Sequence, residues 1–202
     1  MDGVLDDALW PQGLLSLGDC PDGADTITLI GPDEPRFWDI FTASPEYQDG
    51  APDPLDRWSH RVLKRVANDL EAEALFPFGG PPYAPFFTWA VQSGRFWASP
   101  IGFLVHDQYG LFVSFRGALR RKGKAKPFTS EKPCTTCAQP CATACPVGAF
   151  DDGYDVAACR AHVMSEAGLD CRSSGCLARR ACPVGQGNRL PAQAAFHMEA
   201  FL

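Results

Sequence analysis

The residues with the most capacity for chemistry are the cysteines, because eight of the nine lie between Cys134 and Cys182. The first group begins at Cys134 and reads Cys-Thr-Thr-Cys-Ala-Gln-Pro-Cys-Ala-Thr-Ala-Cys-Pro. The second begins at Cys171 and reads Cys-Arg-Ser-Ser-Gly-Cys-Leu-Ala-Arg-Arg-Ala-Cys-Pro, with Cys159 alone between the groups. A cubane iron–sulfur cluster needs four thiolates. Eight cysteines therefore predict two [4Fe-4S] clusters and a function in electron transfer.

Each group ends in a cysteine followed by proline, at Cys145 and at Cys182. Cysteines two or three residues apart on one tight loop can reach three iron corners of a cluster, but the fourth corner faces away. Proline ends such a loop and turns the chain. We therefore expect each Cys-Pro pair to lead toward a second site.

The cysteine segment resembles the bacterial two-cluster ferredoxins, in which the last cysteine of each run ligates the other cluster. Cys-Pro-Val-Gly occurs twice, at 145–148 and at 182–185. The resemblance implies two ligand sets, which are Cys134, Cys137, Cys141 and Cys182 for one cluster and Cys145, Cys159, Cys171 and Cys176 for the other. The spacing is wider than in the family, above all in the second run. If Cys159 points away, the second site becomes a three-cysteine [3Fe-4S] site.

Two other uses of the cysteines were weighed. A disulfide framework is typical of small secreted chains, and the start of this sequence has neither the basic residues nor the apolar run of a signal peptide. Zinc sites use paired Cys-x2-Cys knuckles, and only Cys134 and Cys137 form one. A zinc-binding structural protein is therefore an alternative. Cys20, far from both groups, is predicted to be an ordinary loop thiol.

Charge and hydrophobicity limit the classes of partner. The net charge of −6 argues against general nucleic-acid binding. No stretch approaches the ~20 apolar residues of a membrane span. We therefore expect a cytoplasmic protein, where thiols are reduced and available for cluster assembly. Its partner would be a redox protein or a small-molecule substrate.

The sequence predicts an α+β fold in which a small domain of sheet and helices precedes the cysteines. The predicted parts are an N-terminal domain at 1–118, a basic linker at 119–132, a two-[4Fe-4S] ferredoxin-like domain at 133–189 and a C-terminal helix at 190–202. Residues 116–132 hold seven bases against one acid. Such a stretch is either a solvated linker or a contact for phosphate or an acidic partner.

Hydrophobic periodicity places the elements of the N-terminal domain. The predicted elements are a buried strand at 26–31, a short helix at 35–42, a helix starting at Asp53-Pro54, a strand at 74–77 and a hairpin of 101–106 with 111–116. The helix after Pro54 presents Leu55, Trp58, Val62, Val66 and Leu70 on one face. The C-terminal helix is predicted to begin near Pro191.

Twelve of the 23 aromatic residues lie between Phe76 and Phe115. They form either core or a pocket for a large planar cofactor, since both uses favour aromatic side chains. Arg116 and His106 are the candidate cofactor-binding residues, with Arg95 nearby. A single histidine on a strand, however, more often has a structural role than a catalytic one.

A second resemblance covers 101–117, Ile-Gly-Phe-Leu-Val-His-Asp-Gln-Tyr-Gly-Leu-Phe-Val-Ser-Phe-Arg-Gly. It is similar to a stretch of cobalamin-processing chaperones and epoxyqueuosine reductases. The reductases also continue into a two-cluster module with an isolated cysteine, as Cys159 stands here. The stretch departs from those families at Asp107, where proline is usual after the histidine. The resemblance implies kinship in architecture and assigns no catalytic residue.

Two functions therefore remain. The preferred one is an electron carrier, because the sequence has no Gly-x-Gly-x-x-Gly fingerprint for a dinucleotide. The alternative is an iron–sulfur oxidoreductase whose N-terminal domain binds a flavin, a corrinoid or the substrate and is reduced by the clusters.

Overall fold

Six strands form two sheets in this computed structural model, which describes residues 3–34, 36–126, 128–186 and 190–202. The strands are β1 Leu14–Asp22, β2 Asp25–Pro32, β3 Glu73–Leu75, β4 Phe96–Ala98, β5 Leu104–His106 and β6 Gly117–Lys122. The larger sheet has the order β1-β2-β6-β3, and β4 pairs with β5.

The central strand β2 confirms the strand predicted at 26–31. Every residue of it from Thr26 to Pro32 is buried, as expected for a buried strand. Its hairpin partner β1 was not predicted. The register of β1 shifts between Ser16 and Gly18, so a bulge breaks the alternation that sequence reasoning looks for.

Nine α-helices are described. They are α1 Gly3–Leu9, α2 Arg36–Thr42, α3 Pro45–Gln48, α4 Pro54–Asp69, α5 Phe86–Gln92, α6 Val156–Met164, α7 Leu169–Ser174, α8 Leu177–Arg180 and α9 Pro191–Phe201. Short 3-10 turns add Trp10–Gln12, Pro140–Ala142 and Glu166–Gly168. The predicted helices after Pro54 and from Pro191 are confirmed. The one predicted at 35–42 is α2, except that Pro35 lies outside the described residues.

Helix α4 carries the core of the first part of the chain. Its buried residues are Leu55, Trp58, Ser59, Val62, Leu63, Val66 and Ala67. Trp58 packs edge-on against Phe37 and Phe41 of α2, at centroid distances of 5.4 and 5.9 Å. Asp53 holds the N-cap position, but its side chain makes no capping hydrogen bond and its φ is 52°.

The basic residues predicted as a linker begin within β6. Arg120 donates to Asp22 at 2.8 Å and to Glu73 at 2.6 Å, which are carboxylates of the neighbouring part of the sheet. Arg121 donates to Thr28 Oγ1 at 3.0 Å. These arginines therefore link strands, and residues 119–122 are sheet and not linker.

The hairpin predicted at 101–116 is wrong as a pair of strands. His106 and Gly110 exchange backbone hydrogen bonds of 3.0 and 3.1 Å, so the predicted turn exists. Strand β5 then pairs with β4, and 112–116 has no strand. A Cβ on Gly110, whose φ is +62°, would lie 2.2 Å from the Val184 carbonyl oxygen. The turn is thus packed against the chain that follows Cys182.

The chain divides into two compact units. The first is Met1–Phe96 with Ser114–Ser130, and the second is Trp97–Val113 with Glu131–Leu202. The second unit thus takes residues 97–113 from the predicted N-terminal domain. The end of the predicted cysteine domain, 187–189, lies outside the described residues.

The sheets and helices confirm the α+β class, whereas a two-cluster ferredoxin domain is not shown. Within the described parts of the chain, no helix combines the length and the apolar character needed to cross a membrane.

Candidate functional site

Four cysteines line one pocket of the second unit. They are Cys134, Cys137, Cys141 and Cys182, around about 310 Å³ of space that includes a mouth open to solvent. Pro140 starts the 3-10 turn that carries Cys141, and Gln139 before it has a left-handed φ of 55°. In this conformation the Gln139 N–H donates to Cys137 Sγ at 3.3 Å. Local turn geometry therefore fixes the first run of cysteines, and Cys182 joins it from the second.

The other four cysteines line a second pocket of the same unit, with about 320 Å³ of comparable space. They are Cys145, Cys159, Cys171 and Cys176. The Ala149 N–H donates to Cys145 Sγ at 3.3 Å. Cys159 lies on α6, whose start is fixed because Asp155 Oδ1 accepts the Ala158 N–H at 2.9 Å. The structure thus brings the eight cysteines together in the two sets that the ferredoxin resemblance had implied.

Two thiols of each pocket lie in surroundings that disfavour the thiolate. Burial raises the pKa of Cys134 and Cys141 in the first pocket and of Cys171 and Cys176 in the second. Burial and a hydrogen bond with the Cys159 thiol likewise raise the pKa of Tyr154. Cys134, Cys141, Cys171 and Cys176 are therefore harder to deprotonate than a thiol in water.

Arg116 lies in the first unit, immediately before β6. Its backbone N–H donates to the Ile30 carbonyl at 2.8 Å. Burial lowers the pKa of its guanidinium to about 10, although the carboxylates of Asp56 and Glu34 act in the opposite direction. Its Nε is buried and has no hydrogen-bond partner among the described residues. Arg116 is therefore a desolvated cation with unused donor capacity.

His106 lies in the second unit and is fully buried. Its Nδ1 accepts from the backbone N–H groups of Gln108 at 3.1 Å and Tyr109 at 3.3 Å. Its ring also stacks on Tyr109, with centroids 4.9 Å apart. These contacts organise the turn that ends at Gly110. The two predicted cofactor residues thus belong to different units.

The aromatic residues around Arg116 serve mainly as core. Phe115 packs against Phe86 and Phe96, at centroid distances of 5.6 and 5.5 Å, and the last two are buried. Tyr83 and Phe87, by contrast, are exposed.

Sequence reasoning missed two polar side chains that line the cysteine pockets. Ser99 lines the first pocket and His162 lines the second. His162 follows Cys159 by three residues on α6, which places both on one helix face. This spacing could have predicted that His162 lies near the cysteines. Ser99 is 35 residues before Cys134 and gives no comparable signal.

Comparisons with known proteins find likeness in structure and none in sequence. No family model and no curated protein matches this sequence. The structure is similar to the crystal structure of the C. elegans B12-trafficking protein CblC, a homologue of human MMACHC, with a TM-score of 0.54 and 14% sequence identity. The likeness covers 99% of this chain and 94% of that one. At this identity it shows the fold.

The prediction of a two-[4Fe-4S] electron carrier is wrong, and so is its description as an iron–sulfur, ferredoxin-like protein. The fold is similar over nearly its whole length to a B12-trafficking protein. Across the residues that the structure describes, no group of three or more His, Cys, Asp or Glu side chains is arranged to hold a metal ion. The number of cysteines counts potential ligands, but it carries no information on whether their sulfur atoms converge on one centre. The chain has the fold of a B12-trafficking protein and an α+β architecture.

Proposed function

We propose that this protein binds a corrinoid and takes part in its processing. The observation that carries the proposal is the fold likeness to a B12-trafficking protein, because it extends over 99% of the chain. The resemblance of 101–117 to cobalamin-processing chaperones supports the same ligand from sequence. Both observations favour a corrinoid over a flavin as the ligand.

Arg116 is the residue that we propose for contact with an anionic group of the ligand. A guanidinium out of water needs a hydrogen-bonded counter-group, and phosphate matches its planar set of donors. Cobalamins carry a phosphodiester. The buried, unpartnered Nε of Arg116 supports this assignment. His106 is proposed to act through the turn that it organises.

The eight cysteines are proposed as the soft-ligand residues of the protein, in their two sets of four. Thiol sulfur is a soft donor, and four cysteines are among the residues that line each of the two cavities. The proposal concerns the residues and their grouping. It does not restore the electron-carrier function.

Corrinoid binding can be tested directly on the full chain. We expect hydroxocobalamin to shift the visible absorption of the corrinoid and to quench tryptophan fluorescence in a saturable way. Flavin mononucleotide, titrated under the same conditions, is the control and should do neither. A full titration without saturation by hydroxocobalamin, or a response to the flavin alone, would contradict the proposal.

A further inference from the structure

Helix α9 contributes to the wall of the second cysteine pocket. Met198 of this helix lines the pocket, together with the four cysteines of the set that begins at Cys145. The helix also packs against α7, which carries Cys171 of the same pocket. Access to these thiols therefore depends on where α9 lies.

The first turn of α9 is held more firmly than the rest of the helix. Gln193 and Ala194 are its buried residues, whereas residues 195–202 are half-buried or exposed. Ala194 packs closely on the residue that ends α7, since a Cβ on Gly175 would lie only 3.1 Å from the Ala194 Cβ. Segments that bury little apolar surface open at a low cost in free energy. The first turn is thus an anchor about which the later turns can move.

Arg160 of α6 holds the other end of α9. Its guanidinium donates to the Leu202 carbonyl oxygen and lies over the Phe201 ring, 5.8 Å from the centroid. Arginine suits this double contact because its planar group donates hydrogen bonds and also stacks on aromatic faces. Arg160 is exposed and directly follows Cys159 on α6. The contact is therefore a latch at the surface, between a helix that carries a pocket thiol and the end of α9.

His162 gives a reason for the pocket to open. Its side chain lines the second pocket, and its Nε2 is buried without a hydrogen-bond partner among the described residues. Its backbone carbonyl, by contrast, accepts from both the N–H and the hydroxyl of Ser165, at 2.9 and 2.7 Å. Buried polar atoms in native proteins are nearly always paired. The orphan nitrogen therefore indicates a polar molecule that enters the pocket.

We propose that α9 is a lid on the second cysteine pocket, anchored at Ala194 and latched by Arg160, and that its opening admits a small hydrogen-bonding molecule to His162. When closed, the lid keeps Met198 against the pocket and limits access to the four thiols. When open, it exposes them without unfolding the second unit. None of the described residues that line the first pocket belongs to α9. The thiols of the first pocket should therefore not respond to the lid.

Thiol labelling of the full, reduced chain tests the lid. Iodoacetamide is the probe, because it is a small hydrogen-bonding molecule that alkylates accessible thiols. After a short pulse, the chain is unfolded in heavy-isotope reagent, and peptide mass spectrometry gives a labelling rate for each cysteine. Arg160→Gln removes the latch and Met198→Ala removes the cover. Each should speed labelling of the second set by about three- to tenfold, as expected for the loss of one hydrogen bond or a comparable contact, and leave the first set unchanged.

Met164→Ala is the matched control, because Met164 is a methionine of the same unit that is 67% exposed and is not among the residues lining the pocket. It should label as wild type does. Arg160→Lys keeps the charge and a donor, so it should label more slowly than Arg160→Gln.

The lid is overturned if either Arg160→Gln or Met198→Ala leaves the second set unchanged, if both sets speed up equally, or if Met164→Ala has the same effect. The labelling reaction contains no corrinoid. Failure of hydroxocobalamin to bind would therefore overturn the proposed function and leave this result standing, and the reverse also holds.

Discussion

At the scale of single residues, Arg116 combines a half-buried side chain with a buried Nε that has no hydrogen-bond partner among the described residues. Burial lowers the pKa of its guanidinium only to about 10, so the group stays charged near pH 7. A charged group out of water destabilises a fold when its hydrogen bonds are not made. Such a residue is useful if a ligand supplies the missing partner.

The substitution Arg116→Met replaces the cation with an apolar side chain of similar length. We expect the ligand-free variant to be at least as stable as wild type, because an unsatisfied buried group costs about 1–3 kcal/mol. Its affinity for hydroxocobalamin should fall by about tenfold or more, since hydrogen bonds to charged groups contribute about 1.5–3 kcal/mol. Urea unfolding and corrinoid titration measure the two effects.

Arg65→Ala is the matched control, because Arg65 is an exposed arginine of the same unit that donates to Gln12 at 2.8 Å. It should change neither quantity appreciably. If Arg116→Met unfolds more easily and binds the corrinoid as wild type does, the arginine is structural.

At the scale of elements, the first unit depends on the packing of α4 against α2. Trp58 is 2% exposed, and its edge contacts with Phe37 and Phe41 place three aromatic rings in one cluster. Phe37 also stacks on Phe41, with centroids 5.7 Å apart. Aromatic side chains bury large areas and dominate such cores. The helix face predicted from the sequence is therefore the face that holds the unit together.

Trp58→Ala should lower the free energy of unfolding by about 3–5 kcal/mol, because it removes a large buried side chain and leaves a cavity. Asn68→Ala, at an exposed position of the same helix, is the control and should stay within about 0.5 kcal/mol of wild type. Urea unfolding followed by far-UV circular dichroism compares them. Equal stability of the two variants would show that the α4 contact is not central.

At the scale of the whole molecule, the sequence predicts best where the pattern is local. Helix α4 follows from apolar spacing, and β2 from a short apolar run. The sequence did not predict strand β1, because its bulge at Gly18 interrupts the alternation of apolar and polar residues. The hairpin at 101–116 failed because 112–116 forms no strand, a tertiary outcome that local spacing does not encode.

The same limit applies to the candidate site. The family resemblance implied two sets of four cysteines, and each set lines its own pocket in the structure. The function inferred from those cysteines was nevertheless wrong, because ligand type and number do not specify the arrangement of sulfur atoms. The place of Ser99 in the first pocket could not be predicted from the sequence, because only folding brings it near Cys134. The sequence thus indicated which residues could act as ligands, but it did not indicate how folding arranges residues that are distant in the chain.

The last prediction concerns the acid stability of the molecule through the link between α3 and α4. Glu46 is buried, and both its oxygens pair with the Arg61 guanidinium, one of them at 2.9 Å. Hydrogen bonding to Arg61 lowers the pKa of Glu46 below its usual 4.5. Since the folded state has the lower pKa, this pair stabilises the fold above pH 4.5 and loses that effect as the pH falls below it.

Glu46→Gln should therefore be less stable than wild type at pH 7, by about 1 kcal/mol because Arg61 is half exposed. The difference should shrink as the pH is lowered below 4.5, where wild type also loses the charge. Urea unfolding followed by tryptophan fluorescence is the measurement, because four of the five tryptophans lie in the first unit. A difference that stays constant from pH 7 to pH 3 would mean that Glu46 acts through packing and not through its charge.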